Sequence, residues 1–297
     1  MSINSIATAL VSSIPSPPIN WQYFTIGPVR VHIYALCILA GIIVAVWWTG
    51  RRLTKRGAEK GVVLDFLLWV VPLGIICARL YHVLTHAGDY FGPDKNPLAI
   101  FYIWEGGNAI FGALLGGALG VWIASKQTGV RFLSFADALV PGLLAAQALG
   151  RLGNYFNHEL FGLPTNLPWG LEIESTNAAW PVGLPDGTLF HPTFLYEILW
   201  NVLGIVFFLI LERKVYLRWG RALAFYLIWY GIGRSIFEAI RIDPSDTYLG
   251  IRTNIWAAWA AVLLGVILWC VQTRRHPGRE LSVYRPGREP KEPALDS

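Results

Sequence analysis

The amino-acid sequence predicts an all-α integral membrane protein: seven transmembrane helices, the N-terminus outside, the C-terminus in the cytoplasm, and a cap segment on the outer face. Three observations predict it. Hydrophobic residues make up 54% of the 297 and charged residues only 14%, with a mean hydropathy of +0.46, whereas about a quarter of a soluble domain is charged. Seven mostly apolar runs come close to the ~20 residues that a helix needs to cross a bilayer. The basic residues between those runs alternate from one side to the other, as cytoplasmic enrichment of Lys and Arg requires.

The runs lie at about 31–49, 62–84, 108–125, 133–150, 194–211, 222–241 and 254–272. Before them, residues 1–30 form an outer-face N-terminal segment. Its first 29 residues hold no Lys or Arg, unlike the basic front of a secretory signal peptide. After the first run come Arg51, Arg52, Lys55, Arg56 and Lys60; Lys126 and Arg131 follow the third; Arg213, Lys214, Arg218 and Arg221 follow the fifth. With the six basic residues after position 272, that side carries 17 of the 24, against Arg30, Lys95, Arg151, Arg241 and Arg252 on the other. This asymmetry sets the orientation. The net charge of +5 is therefore a topology signal, and nucleic acid is excluded as a partner because the cations are not gathered on one soluble face. Trp47, Trp48, Trp104, Trp219 and Trp269 fall near run ends, where an interfacial belt places them.

Residues 31–272 form one seven-helix transmembrane domain that includes a turn-rich cap at about 151–193, and 273–297 is a charged, proline-rich cytoplasmic tail expected to be disordered. Cys37, Cys77 and Cys270 each sit alone in an apolar run, so neither a disulfide framework nor a metal pair is indicated.

What remains is a short set of ionisable residues at membrane depth or on the outer side. A charge in a span is costly and usually faces the bundle interior for a functional reason. Arg79 and Arg234 lie inside runs. In YGIGRSIFEAIR, Tyr230, Arg234, Glu238 and Arg241 are spaced by four, four and three residues, which puts them on one helical face. Alone, Arg234 and Glu238 have a second, weaker reading as a neutralising pair that lets the helix insert. However, Arg151, Asn154 and Glu159 follow the fourth run, HPTFLYE (His191, Tyr196, Glu197) opens the fifth, and Arg79 and Tyr81 lie in the second. Together they describe a cavity lined by two or three arginines. A guanidinium matches two oxygens of a phosphate, so the ligand expected is an anionic phospholipid head group. Gly112, Gly116, Gly117 and Gly120 are assigned to close helix packing, while Gly150, Gly153, Gly231 and Gly233, which flank Arg151 and Arg234, are assigned to the cavity wall. Among the histidines, His191 stands where it could cap the fifth helix, and His86, His158 and His276 are expected to be solvated.

The residues resemble the prolipoprotein diacylglyceryl transferase family. GRLGNYFNHELFG (150–162) looks like its signature, and FTIGPVRVHIYALCILAG, WEGGNAIFGALLGG, HPTFLYE and YGIGRSIFEAIRIDP resemble its other segments in the family's order, over roughly residues 24–272. The resemblance implies transfer of the diacylglyceryl group of phosphatidylglycerol to the thiol of the lipobox cysteine in a prolipoprotein signal peptide. A thioether forms and glycerol phosphate leaves. It implies neither metal nor diffusible cofactor, and a multi-pass location in the bacterial plasma membrane. It assigns catalytic weight to Arg151, Arg234, Glu159 and Tyr34, and substrate binding to Arg151, Gly153, Asn154, Glu238 and Arg241. In this reading Arg151 and Arg234 bind the phosphate, Glu159 and Glu238 orient them, and Asn154 and Tyr34 hydrogen-bond the head group.

One departure concerns the base. Many members carry a histidine in a GG-x-x-x-HGG segment; here Phe111 stands in its place and cannot accept a proton. His32 and Glu159 remain as candidates, or the arginine field alone lowers the thiol pKa. The competing class is a polytopic transporter of an anionic or lipid substrate, with Pro72 and Pro141 marking broken helices, but its two matching halves are not found. A hydrolase lacks its G-x-S-x-G or H-E-x-x-H.

Overall fold

The computed structural model describes residues 13–92 and 94–289. Its main elements are seven helices: α1 (Ile33–Lys55), α2 (Val62–Thr85), α3 (Ile110–Thr128), α4 (Phe132–Asn157), α5 (Thr193–Lys214), α6 (Arg221–Ile240) and α7 (Thr253–Arg275). All seven are long and apolar enough to cross a membrane. Helix is the form that such a run must take, because hydrocarbon offers no partner for an open N–H or C=O. Pro72 and Pro141 remain inside α2 and α4. Large apolar side chains such as Leu68, Leu84, Leu115 and Leu263 stay exposed along the helices, as lipid contact demands. Basic residues occupy the last turns of α1 (Arg52, Lys55), α3 (Lys126), α5 (Arg213, Lys214) and α7 (Arg274, Arg275). No Lys or Arg occupies the last turn of α2, α4 or α6.

The chain divides into two compact units. One comprises Thr49–Ala138 and the chain from Glu280. Here α2 and α3 pack along their lengths, and a Cβ at Gly112, Gly116 or Gly120 would run into the α2 backbone at Cys77, Leu73 and Trp69–Val70. Gly117 meets nothing, since one residue further on turns the helix ~100° away from that seam. Arg79, 6% exposed, belongs to this unit and is no cavity cation. Its Nε donates to the Ile100 carbonyl at 2.8 Å, Nη1 to those of Gly106 and Gly107 at 2.7 and 3.0 Å, and Nη2 to that of Ala99, while its guanidinium lies 5.1 Å from the Tyr90 ring centroid. It braces the connection to α3. Phe111 packs near Tyr81, with centroids 6.3 Å apart.

The tail departs from its expected disorder. Val283 and Tyr284 are 2% and 3% exposed, Arg131 takes the carbonyl of Val283 on its backbone N–H at 2.8 Å and that of Ser282 on Nη1 at 2.6 Å, and the Tyr284 hydroxyl accepts from the Glu59 N–H at 2.9 Å. Two large apolar groups within the charged tail are enough to dock it. Positions 290–297 lie outside the described residues.

The other unit runs through Trp48 and resumes with Leu139–Arg279. A hairpin, β1 (Tyr23–Ile26) and β2 (Val29–His32), turns at Gly27 with φ +57° and leads straight into α1. In the cap, Phe161, Leu171, Ile173, Phe190 and Phe194 form a small core of their own. Strands β3 (Leu171–Glu172) and β4 (Leu189–Phe190) pair antiparallel, and Ile14 bridges to Leu171. A last hairpin, β5 (Thr247–Tyr248) and β6 (Ile251–Arg252), precedes α7. Gly231 and Gly233 do not line a cavity: a Cβ at the first would strike α7 at Ala258, and at the second the Trp200 indole.

Candidate functional site

Five helix ends in this second unit bring the polar residues together: the start of α1, the end of α4, the start of α5, the end of α6 and the start of α7. Arg151 and Asn154 are three apart on α4, so their side chains meet on one face, and Arg151 Nη1 donates to Asn154 Oδ1 at 2.9 Å. Asn154 passes the contact on, donating to Glu159 Oε1 at 2.7 Å; Asn157 donates to the same oxygen at 3.3 Å. The carboxylate that pairs with Arg151 directly is Glu197 on α5, at 2.7 Å. Orientation of Arg151 thus falls to Glu197, with Glu159 one amide away. Gly153 has a specific use, because any Cβ there would collide with the Tyr34 ring. The Tyr34 phenol lies within the electrostatic range of Glu159 and Arg151.

The end of α6 is organised around Glu238, whose side chain is fully buried. Arg234 approaches it at 2.9 Å one turn earlier, Arg241 at 3.6 Å and Arg252 at 3.2 Å, and Asn254 donates to Oε1 at 3.0 Å. One carboxylate among three guanidiniums is a configuration that only mutual compensation makes affordable at such burial. Arg241 also forks onto Asp243, both bonds being 2.7 Å. Burial pulls the Arg241 pKa down, but Asp243, Glu238 and Glu197 outweigh it and hold the guanidinium above its ordinary value. Glu197, the partner of Arg151, also lies within the electrostatic range of Arg241, and the chain just after α4 bridges to Arg241 through Gly162. Each nitrogen of Arg241 faces a carboxylate, whereas Arg234 Nε and Nη1 meet no acceptor among the described residues.

The sequence model of the prolipoprotein diacylglyceryl transferase family matches residues 22–271. A phosphatidylglycerol–prolipoprotein diacylglyceryl transferase of Leifsonia xyli is 64% identical over 94% of this chain and 86% of its own length. Proteins of the same name from Bifidobacterium adolescentis and Paenarthrobacter aurescens are 44% and 45% identical, over 90% and 88% of this chain and 82% and 84% of theirs. The chain belongs to the prolipoprotein diacylglyceryl transferase family. This family membership and the seven spans make it a transferase and a multi-pass bacterial membrane protein.

Several residues of this family member escaped the sequence reading. Asp243, Arg252 and Asn254 reach the Glu238 cluster from a loop, a two-residue strand and a helix start, where no periodicity marks them. The histidines also differ from expectation. His191 does not cap α5, which Pro192 precedes without a side-chain cap; its Nδ1 lies 3.1 Å from the Tyr196 hydroxyl, which accepts from Trp169 at 3.0 Å. His158 is not solvated but 4% exposed. A left-handed φ of +54° after the α4 terminus swings its ring into the cap, 2.8 Å from Glu174 and 2.7 Å from the Pro17 carbonyl. His276 stacks on Trp219, with centroids 4.2 Å apart, and His86 is exposed. Burial pushes the Glu174 carboxyl up, but a backbone hydrogen bond, His158 and Asn177 outweigh it and hold the carboxyl below its usual range.

Proposed function

We propose that this chain transfers the diacylglyceryl group of phosphatidylglycerol to the lipobox cysteine thiol of prolipoproteins, making a thioether and releasing glycerol phosphate, at the outer face of the membrane, with its N-terminus outside and its C-terminus in the cytoplasm. The names of its relatives supply the two substrates. One observation carries the chemistry: Arg151 and Arg234 are each anchored by a carboxylate, at 2.7 and 2.9 Å, at the ends of α4 and α6, yet their side chains stay 22% and 16% exposed.

A guanidinium fixed in this way is a preorganised donor. Cleaving the glyceryl C–O bond leaves a second negative charge on the departing phosphate ester, and donors aimed at developing charge in a site of low dielectric supply the largest usual share of rate enhancement. Arg234 offers free N–H groups to the phosphate and Arg151 offers Nε, while Glu197 and Glu238 keep both forks from swinging. Asn154 and Tyr34 bond the head group, Gly153 makes room for Tyr34, and Arg241 holds Glu238 in place at the edge of the substrate site.

The test is incubation of the purified protein with phosphatidylglycerol and a lipobox peptide. A thioether-linked diacylglyceryl peptide by mass spectrometry is the expected product. Uptake of an anionic substrate into vesicles with no covalent product would give the transporter reading instead.

A further inference from the structure

The site contains four carboxylates, and they are not equivalent. Glu197, Glu238 and Asp243 each face a guanidinium, at 2.7, 2.9 and 2.7 Å. Glu159 faces none: its Oε1 accepts only from the amides of Asn154 and Asn157, at 2.7 and 3.3 Å, and Oε2 has no partner among the described residues. The residue is exposed. A carboxylate locked to a cation gives up its pair on taking a proton and is a poor base. One that faces no cation and keeps an oxygen open is placed to accept a proton from a group brought against it.

We propose that Glu159 is the base that takes the proton of the lipobox thiol and then hands it to the departing phosphate. This inference rests on the transfer reading above. The thiol gives its proton to Glu159 Oε2, the sulfur pair forms the S–C bond to the glyceryl carbon, and the C–O bond breaks with its electron pair on the phosphate ester. That phosphate changes from a monoanionic diester to a dianionic monoester and takes the proton back from Glu159, so charge balances and the carboxylate is restored. Asn154 makes the hand-over short. It bonds Glu159 with its amide nitrogen and Arg151, the cation of the phosphate clamp, with its oxygen. His32, the other candidate, is an exposed strand residue whose ring lies 5.6 Å from that of Tyr23.

Initial rates of thioether formation by the full-length protein are measured from pH 6.5 to 9 for the wild type, Glu159→Gln, Glu159→Ala and His32→Asn. A free cysteine has a pKa near about 8.5, so a missing base matters most at low pH. Glu159→Gln, which can still accept from Asn154, is expected to be about 100-fold slower at neutral pH with KM for phosphatidylglycerol unchanged. The deficit shrinks as the thiol ionises by itself. Added formate restores rate to Glu159→Ala, a readout that stands even if one variant folds poorly. A deficit equal at every pH without formate rescue, or a pH-dependent deficit in His32→Asn in place of Glu159→Gln, overturns the assignment. A wild type that makes no thioether overturns the transfer reading itself, and this step with it.

Discussion

Arg79 and Arg234 are both arginines inside spanning helices, and hydropathy treats them alike. Their surroundings do not. Arg79 is 6% exposed and gives its nitrogens to the carbonyls of Ala99, Ile100, Gly106 and Gly107; no carboxylate is needed, since several carbonyl dipoles solvate it. Arg234 has one anchor, Glu238 at 2.9 Å, and a side chain 16% exposed. A cation used up by backbone organises a connection, while one held by a single carboxylate with N–H groups to spare remains open to a ligand. Depth in the membrane marks an arginine as important; the identity of its acceptors says what for.

The largest expected effect tests what keeps Arg234 open. Glu238→Ala leaves Arg234, Arg241 and Arg252 without their common partner, and breaking a buried pair costs about 3–5 kcal/mol; detergent-solubilised protein should melt markedly earlier and lose transfer activity. Next, Arg234→Lys keeps the charge and loses the fork. Turnover should fall by about 10²–10³, the usual loss on removing one transition-state donor, with little change in melting temperature. The mirror case is Arg79→Lys, for which the expected outcome is a thermal destabilisation of about 1–3 kcal/mol from carbonyls left unsatisfied. If Arg234→Lys lowered the melting point as much as Arg79→Lys and kept its turnover, the distinction between brace and clamp would be lost.

The smallest effect concerns the cap. A carboxyl depressed in the folded state stabilises the protein above its unfolded value and ceases to do so as pH falls through the folded one. For Glu174, below its ordinary 4.5, the protection of the Leu171–Glu172 amides relative to their intrinsic exchange should therefore fall only on acidification under about that pH. Glu174→Gln should show the lower protection already at neutral pH. Equal exchange in the two proteins would remove the His158–Glu174 contact from the account of cap stability.

The seven helices were legible because each spanning run must satisfy its own backbone, which ties apolar length to helix. Their ends were less so. The run expected at 133–150 continues as helix to Asn157, and the run expected at 31–49 extends from Ile33 to Lys55, because i to i−4 bonding carries on through polar residues once the helix leaves hydrocarbon. Within the site, pairs set by helical spacing could be read directly: Arg151 with Asn154, and Arg234 with Glu238. The Arg151–Glu197 pair joins two helices, and Arg252 reaches Glu238 from a short hairpin. Neither leaves a local pattern, since which helix ends share a neighbourhood is a property of packing.

The docked tail bears on how this enzyme is handled. Tyr284 and Val283 fill a layer beside Val130 and Glu59, so ending the polypeptide at the last turn of α7 would uncover greasy side chains on a face built to be covered. A purification tag or fluorescent fusion belongs beyond residue 289, where it lengthens the chain without prising out that plug.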